Sequence, residues 1–408
     1  MVSEVKLLQP RLRFVDFHDD WTQQRIGSIL TDISRPVQLL DNELYQLVTV
    51  KRRNEGVVPR SVVKGKNILV KNYFAIKAGD FLISKRQVVH GANGIVPESL
   101  DNAVVSNEYL VVTDNQKITA KFWSTISKRP EIKKLYFISS YGVDIEKLVF
   151  DIADWKERSI LIPELNEQQK ITDFFQNLDQ QIKLHQDKHN KLQQLKQAML
   201  SKMFPKAGQK VPEVRFAGFS DSWEEKLLSA ICTRTYGGGT PTTSNSSYWG
   251  GEIPWIQSSD LNEKSITSKP KKSITYIGLK NSATKLVPSN SIAIITRVGV
   301  GKLALMDKPY ATSQDFLSLS NLKIGGLFAT YSLKKLLGKI IHSVQGTSIK
   351  GITKDELLSN SIMVPVSIEE QEKIGQYFQN LDNLIALQQQ KIDKLKNIKQ
   401  ACLGKMFV

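Results

Sequence analysis

Two stretches of this chain repeat each other, and the repeat constrains the fold more than any other feature. Residues 167–204 align without a gap on residues 370–407, and 22 of the 38 positions are identical. A second match opens each half, where the pattern Pro-x-(Leu/Val)-Arg-Phe-x-x-Phe-x-Asp-x-Trp ends at Trp21 and again at Trp223. The segments between these shared ends do not visibly align. Duplicated ends with divergent middles predict one architecture that carries two different recognition surfaces.

The repeated segments are predicted to be long helices. Apolar residues recur at steps of three and four along both copies, which gives each helix one apolar stripe. Pro163 and Pro365 precede Glu-containing first turns, and Pro205 ends the first helix. We expect helices over 166–204 and 369–406 that pair antiparallel and hold one domain at each end of a rod. The predicted coiled-coil and subunit-interface residues are Phe175, Leu178, Ile182, Leu192, Leu195, Phe378, Leu381, Ile385, Leu395 and Ile398.

Polar residues interrupt this stripe at His185, His189 and Gln388. One interpretation is a polar layer that fixes the register of the helix pair. The alternative is a zinc site, because two histidines four residues apart share a helix face. The second copy has Gln388 and Ile392 at these positions, and no cysteine or carboxylate completes a ligand set. The polar layer is therefore favoured, and no metal site is predicted.

The middles are predicted to be mixed α/β. Strands are expected at 44–50, 66–76, 81–84 and 104–112, with a helix at 117–127, and in the second half at 253–256, 291–296, 303–306 and 316–319, with a helix at 327–337. The predicted fold class is α/β (α+β): two mixed domains separated by an antiparallel coiled coil, with pseudo-two-fold symmetry. The predicted limits are 1–162 and 206–362 for the domains and 163–205 and 363–408 for the helices.

The charge balance favours a polyanionic partner. The chain has 56 basic and 40 acidic residues, a formal net charge of +16. Basic surface attracts phosphate backbones, although a merely solvated basic surface has the same composition. No apolar run reaches about 18 residues, and the first residues have no apolar signal segment. Two cysteines cannot form a disulfide framework, so the cytoplasm is the predicted compartment.

Catalytic motifs do not appear. The glycine-rich run 298–302 ends in a lysine, but Leu303 follows where a phosphate-binding loop needs Ser or Thr. Neither an Asn/Asp-Pro-Pro-aromatic motif for amino-methyl transfer nor a Phe-x-Gly-x-Gly loop for S-adenosylmethionine is present. The chain is therefore predicted to be no enzyme and to bind no cofactor of its own.

Side chains that suit DNA cluster in the two middles. Arg, Lys, Asn, Gln, Ser and Thr read base edges and hold phosphates, and loops held by a sheet place them well. A solvated charged face is the alternative for any one of them. The candidates are Lys51, Arg52, Arg53, Arg60, Lys64, Lys85, Arg86 and Asn93 in the first middle, and Arg234, Gly239, Thr240, Arg297, Lys302, Gln314, Gln345, Thr347 and Lys350 in the second.

On these residues the chain resembles the specificity subunit of Type I restriction–modification systems. The paired Phe-Gln-Asn-Leu-Asp helices, the two opening motifs, and the second-half segments 238–241, 248–256 and 347–350 are similar to that family. Segments 78–81 and 106–109 resemble a different subtype of its target recognition domains. The first half lacks the Gly-Gly-Thr-Pro loop of the second.

The resemblance implies a non-catalytic subunit in which each recognition domain reads one half of an asymmetric, bipartite site in double-stranded DNA. It further implies that the helix pair sets the unread spacer and docks two modification (methyltransferase) subunits, and that restriction (translocase/nuclease) subunits join the full complex. S-adenosylmethionine, ATP and Mg²⁺ would belong to those partners, and no membrane is involved. A stand-alone methyltransferase or nuclease, or a scaffold that binds no DNA, remains an alternative.

Overall fold

A computed structural model describes residues 9–69, 72–262, 266, 268, 270–343 and 351–408. The chain forms two compact units. The first unit consists of the residues up to Leu184 together with Ile392–Val408, and the second unit consists of His185–Lys391. Each of the two long helices therefore gives one of its ends to each unit.

The first unit contains thirteen strands and four short helices within the described residues. The strands are β1 (Thr22–Arg25), β2 (Thr31–Asp32), β3 (Pro36–Val37), β4 (Leu44–Lys51), β5 (Gly56–Lys64), β6 (Tyr73–Ala75), β7 (Phe81–Ser84), β8 (Asn93–Ile95), β9 (Val104–Ser106), β10 (Tyr109–Thr113), β11 (Ser140–Tyr141), β12 (Val149–Phe150) and β13 (Ser159–Ile162). The helices are α1 (Ile26–Ile29), α2 (Ala120–Ile126), α3 (Pro130–Ile138) and α4 (Ile152–Glu157). The first long helix, α5, spans Leu165–Lys202.

The second unit is built from the elements that follow. Its strands are β14 (Glu224–Leu227), β15 (Cys232–Gly237), β16 (Trp249–Ile256), β17 (Lys272–Ile274), β18 (Ser291–Ile295), β19 (Leu303–Met306), β20 (Ala311–Thr312), β21 (Phe316–Leu322) and β22 (Ser361–Val364). The short helices are α6 (Leu228–Ile231), α7 (Tyr276–Lys280) and α9 (Lys354–Leu358), and α8 spans Gly326–Ser343. The second long helix, α10, spans Ile368–Lys405.

The divergent middles share a sheet that their sequences do not reveal. Each unit has a four-stranded antiparallel sheet, in the order β2-β10-β7-β8 in the first and β15-β21-β18-β19 in the second. One helix of each unit contributes a fully buried phenylalanine to the core of its own unit, Phe122 of α2 in the first and Phe328 of α8 in the second. The prediction of mixed α/β middles is confirmed, and the two middles have a common frame.

Two predicted strands need correction. The segment 66–76 is not one strand, because Gly65–Asn67 is a 3-10 turn and only Tyr73–Ala75 joins a ladder, with residues 70 and 71 outside the described part. The backbone hydrogen bonds explain the break, since Lys66 N donates to Asp41 O and Ile68 N donates to Gly65 O. The segment 104–112 divides into β9 and β10.

The opening motifs anchor the first turns of the long helices. Arg13 donates two hydrogen bonds of 2.8 Å to Glu167 on α5, and Arg215 donates bonds of 2.6 and 2.8 Å to Glu370 on α10. Both carboxylates are fully buried. Bidentate arginine–carboxylate pairs fix geometry as well as contributing energy. The repeated arginine and glutamate therefore fix the first turn of each long helix against the unit in which that helix begins.

The last turns of the same helices complete the core of the unit in which each helix ends. Phe407 lies 6.1 Å from Trp21 and 6.2 Å from Phe122, between ring centroids. Phe204 lies 6.0 Å from Trp223 and 5.6 Å from Phe328. Within each unit the two helix segments run antiparallel, because residues late in one helix contact residues early in the other. The predicted antiparallel pairing is confirmed in each unit.

Candidate nucleic-acid interface

In the second unit, three loops at one end of the four-stranded sheet meet around the Gly-Gly-Thr-Pro segment. Gly239 N donates to Thr312 O at 2.8 Å, and Thr240 Oγ1 donates to Gln314 Oε1 at 2.7 Å. A Cβ atom on Gly238 would lie 1.9 Å from Ser313 O, so only glycine allows this approach. The structure thus brings together three of the predicted site residues, Gly239, Thr240 and Gln314.

Arg297 lies in the third of these loops, between β18 and β19. The loop is joined to the Gln314 loop because Thr296 N donates to Asp315 O at 2.8 Å. The Arg297 side chain is exposed, and the described residues provide no hydrogen-bond or ion-pair partner for its guanidinium. Lys302 closes the loop, since Ile295 N donates to Lys302 O at 2.9 Å. An unpaired cation beside ordered polar loops is the arrangement that base or phosphate recognition requires.

The other second-half candidates are placed differently or not at all. Arg234 is exposed on the edge strand β15, about three residues before the glycine loop begins. At about 3.4 Å per strand residue this separates it from the loop cluster by roughly 10 Å. Gln345, Thr347 and Lys350 lie outside the described residues. Gly351, the first described residue after them, lies beside Arg297, because a Cβ atom on it would lie 3.0 Å from Thr296 O and 3.7 Å from Arg297 Cα.

In the first unit, the basic candidates divide into paired and unpaired groups. Arg52 donates to Gln87 Oε1 at 2.8 Å and to Glu146 Oε2 at 2.5 Å, and Arg86 pairs with Glu108 at 3.0 Å. Lys85 Nζ donates to Asn107 O at 2.7 Å. Asn93 is buried and accepts a 3.0 Å bond from Asn54 Nδ2. These four side chains already have partners within the domain, which makes them weaker candidates for contact with DNA.

The unpaired group lies on the hairpin of β4 and β5. Among the described residues no ion pair or side-chain hydrogen bond involves Lys51, Arg53, Arg60 or Lys64, and all four are exposed. The turn between the strands is fixed, because Arg53 N donates to His90 O and Asn54 N to Gly91 O, both at 2.8 Å. The hairpin therefore presents free cations on a backbone that the rest of the unit holds in place.

The helix stripe is only partly as predicted. Phe175, Ile182, Phe378 and Leu381 are buried, and Leu178, Leu192, Ile385 and Leu395 are half-buried. Leu195 and Ile398 occupy equivalent positions of the two copies and are 41% and 38% exposed, so they lie outside the seam. The next residue in each copy points inward instead. Lys196 pairs with Asp382 in the second unit, and Lys399 pairs with Asp179 in the first.

The histidine position behaves as a polar layer. His185 Nδ1 lies 2.7 Å from Gln388 Oε1, a hydrogen bond in which the ring N–H donates, and Gln388 is 3% exposed. No group of His, Cys, Asp or Glu side chains suited to a metal ion occurs in the described residues.

The ion pairs in the seam were missed from the sequence. Lys196 and Asp382, with their equivalents Lys399 and Asp179, are identical in the two copies, yet the three- and four-residue stripe gives no sign that they pair. Burial and the neighbouring Lys399 lower the pKa of Lys128, which lies 3.9 Å from Asp179. In the second unit Tyr331 donates to Asp382 at 2.7 Å, and burial next to this carboxylate raises the pKa of the phenol. The sequence does contain one indication of these pairs, because the same lysine and the same aspartate recur in both copies of the repeat, 203 residues apart.

Comparison with known proteins places these domains in one family. The model for the Type I restriction modification DNA specificity domain matches twice, at residues 18–194 and 220–397. The specificity subunit of the HindI enzyme from Haemophilus influenzae is 23% identical over 74% of this chain and 79% of its own length. The specificity subunit of EcoR124I/EcoR124II from Escherichia coli is 30% identical over 40% of this chain and 41% of its own length.

Solved structures agree at the level of the fold. The S subunit of a Type I system from M. genitalium has a TM-score of 0.61 at 15% identity, covering 98% of this chain and 99% of that one. A chain from a Type I assembly has a TM-score of 0.52 at 19% identity, covering 95% and 97%.

The chain belongs to the family of Type I restriction–modification DNA specificity subunits, and it carries two copies of the specificity domain. This confirms the DNA-specificity function that the sequence predicts. It also confirms the prediction that the chain is not an enzyme, since subunits of this family recognise DNA without catalysing a reaction on it. Within the described residues no helix is long and apolar enough to cross a membrane.

Proposed function

We propose that residues 1–162 read one half of a bipartite DNA site and residues 206–362 read the other. The observation that carries this proposal is that two specificity domains share one four-stranded frame but present different polar loops. The first presents the β4–β5 hairpin, and the second presents the Gly238–Thr240 loop with Gln314 and Arg297. Different contact groups on a common frame should read different sequences, so the complete site is asymmetric.

The long helices, within 163–205 and 363–408, set the length of the unread spacer in this proposal. Each is 38 residues long, about 57 Å at about 1.5 Å per residue. Four residues inserted after Asn190, with a matching insertion in α10, would lengthen the pair by about 6 Å. Since DNA rises about 3.4 Å per base pair, the spacer should grow by one or two base pairs while both half-sites stay unchanged.

Two modification subunits are proposed to dock on exposed apolar residues that recur in the repeat. Leu184 and its equivalent Leu387 are 59% and 43% exposed, and Leu195 and Ile398 are 41% and 38% exposed. Each unit thus presents one residue of each kind, and two like surfaces fit two copies of one partner. Leu195→Lys together with Ile398→Lys should abolish co-purification of the modification subunit. Leu286→Lys, at an exposed leucine elsewhere in the second unit, should not.

The chain would need no cofactor of its own, because S-adenosylmethionine, ATP and Mg²⁺ would be held by the modification and restriction subunits. Such a complex would act on cytoplasmic DNA. Methylome sequencing of a host that expresses this chain with a modification subunit tests the assignment directly, since a bipartite methylated motif is expected. Exchange of residues 212–362 for the domain of another family member should change one half of that motif. A change in both halves, or in neither, contradicts the modular reading.

A further inference from the structure

The first unit has a two-stranded ribbon that is longer than its counterpart in the second. Strands β4 and β5 pair antiparallel from Leu44 opposite Lys64 to Lys51 opposite Gly56. They form one edge of a five-stranded sheet in the order β3-β6-β9-β4-β5. In the described part of the second unit, the sheet β17-β16-β20 has the corresponding pairing, because β16 pairs antiparallel with β17 and parallel with β20, as β4 does with β5 and β9. The pairing is therefore common to both domains, but β5 has nine residues whereas β17 has three, so the long ribbon is specific to the first domain.

Only half of the ribbon covers a core. Val48 and Val50 of β4 and Val57 of β5 are 4%, 7% and 7% exposed. Alternate residues of a strand share a face, so the face that is buried at Val48 and Val50 continues to Leu44. Leu44 is 65% exposed and Val62 of β5 is 56% exposed. On this face, the end of the ribbon formed by 44–47 and 60–64 extends beyond the core that supports the rest of it, while Leu47 still pairs with Val104 of β9 along its other edge.

A β-bulge separates the two halves of the ribbon. Leu47 lies opposite Ser61 and Val48 lies opposite Pro59, so Arg60 is an additional residue without a partner on β4. A bulge bends its strand, increases the local twist and turns a side chain in a new direction. Arg60 is exposed, and the described residues give its side chain no ion pair. The one arginine in the projecting half is therefore at the position where the backbone departs from the ladder.

The charge of the ribbon matches a polyanion. Residues 44–66 contain six basic residues, Lys51, Arg52, Arg53, Arg60, Lys64 and Lys66, and one acidic residue, Glu55. Only Arg52 among the six forms an ion pair with another described residue. The projecting end is held by its own hydrogen bonds, since Gly65 N donates to Glu43 O and Leu40 N donates to the Tyr45 hydroxyl, both at 2.9 Å, so its backbone is ordered before any partner binds.

We propose that the projecting end of this ribbon enters the major groove of the first half-site. The major groove is about 12 Å wide and accepts a two-stranded ribbon. Arg60 reads a guanine edge, Lys64 holds a backbone phosphate, and the exposed Val62 contacts a thymine methyl group. This inference rests on the proposed function and names the element that determines specificity in the first domain. The free edge of β5 could instead pair with a strand of a protein partner, which the experiment distinguishes.

Arg60→Ala is the decisive variant, in the full chain together with its modification subunit. The matched control is Arg25→Ala, which removes an exposed arginine of the same unit that pairs with Glu157 at 3.0 Å. Arg60→Ala should lower discrimination at one position of the first half-site by about 5- to 150-fold and leave the second half-site unchanged. Lys64→Ala should weaken binding to all duplexes alike and reduce the salt slope by about one unit. The control should do neither to a comparable extent.

The readouts are the methylated motif and binding curves on cognate and single-mismatch duplexes at several salt concentrations. An unchanged first half-site in Arg60→Ala overturns the proposal, as does loss of a co-purifying subunit at unchanged specificity. If Arg60→Ala lowers thermal stability, Arg60→Lys decides, because it keeps the charge but not the planar fork that reads guanine. An intact first-half motif in Arg60→Lys then overturns it. A wild-type chain without any bipartite motif would refute the proposed function itself, which separates the two failures.

Discussion

The buried ion pair between Lys196 and Asp382 offers a quantitative test, because the chain contains its own control. In the second unit the Lys196 and Asp382 side chains are 9% and 15% exposed. The equivalent Lys399 and Asp179 in the first unit are 21% and 45% exposed. The same two residue types thus form the same pair at two levels of burial, in two copies of one helix sequence.

The expected costs follow from what each substitution leaves behind. Lys196→Met leaves a buried carboxylate with Tyr331 as its remaining donor, and breaking a buried pair in this way costs about 3–5 kcal/mol. Lys399→Met leaves Asp179 near water and 3.9 Å from Lys128, so the loss should be at most about 1 kcal/mol. The double substitution Lys196→Met with Asp382→Leu removes both charges and should recover most of the stability, because apolar replacements of buried pairs are often neutral or stabilising.

Hydrogen exchange suits this measurement, since a chain of two units need not unfold in one step. Peptides from 185–202 and 374–391 report on the second unit, and those from 165–184 and 392–405 report on the first. Lys196→Met should reduce protection in the first pair of peptides, and Lys399→Met should barely alter the second. Equal losses for the two lysine variants, or a double variant no more stable than Lys196→Met, would refute the argument from burial.

Two further substitutions test local features of the second unit. Gly238→Ala should abolish recognition of the second half-site, because a Cβ atom at this position would lie 1.9 Å from Ser313 O. Gly237→Ala should be tolerated, because no heavy atom lies within 4 Å of the added carbon. Half-site binding and thermal unfolding of both variants check this. Burial and the nearby Lys339 lower the pKa of Lys335 to about 8, below the value near 10.4 of an unfolded lysine. The cost of burying this charge is therefore fully present below pH 8 and fades as the pH rises towards 10.4. Lys335→Met should raise the unfolding temperature at pH 7 by more than at pH 10, and an equal change at both values would contradict this account.

The long helices could be predicted from the sequence because their signals are local. A three- and four-residue apolar stripe, a preceding proline and an acidic first turn act within a few residues of one another. The common four-stranded sheet could not be predicted, because its strands are short and pair across long stretches of chain. Phe122 and Phe328 occupy the same place in the two units, yet the segments around them show no visible alignment.

The candidate interface shows the same division. Arg52 and Arg53 are neighbours in the sequence and cannot be told apart there, but Glu146 pairs with Arg52 from a distance of 94 residues. Thr240 and Gln314 were separate candidates, and folding brings them to hydrogen-bond distance across 74 residues. Residue type therefore identified the set of candidates, whereas long-range pairing decides which of them are free for DNA.

The contacts of the repeated residues explain why the two copies can share so much sequence while the middles differ. Glu167 and Glu370 accept hydrogen bonds from the opening arginines, and Phe204 and Phe407 fill the core of the unit in which each long helix ends. These contacts involve the helices and the shared frame, not the loops that carry the candidate DNA contacts.

His185 and Gln388 differ between the two copies because these equivalent positions contact each other, and a hydrogen bond between them needs a donor opposite an acceptor. One buried polar pair of this kind favours a single register, since a slipped pairing would leave Gln388 buried without a partner, at a cost of about 1–3 kcal/mol. The spacer role proposed above would need such a register, because a slip along the seam would change the proposed spacer length.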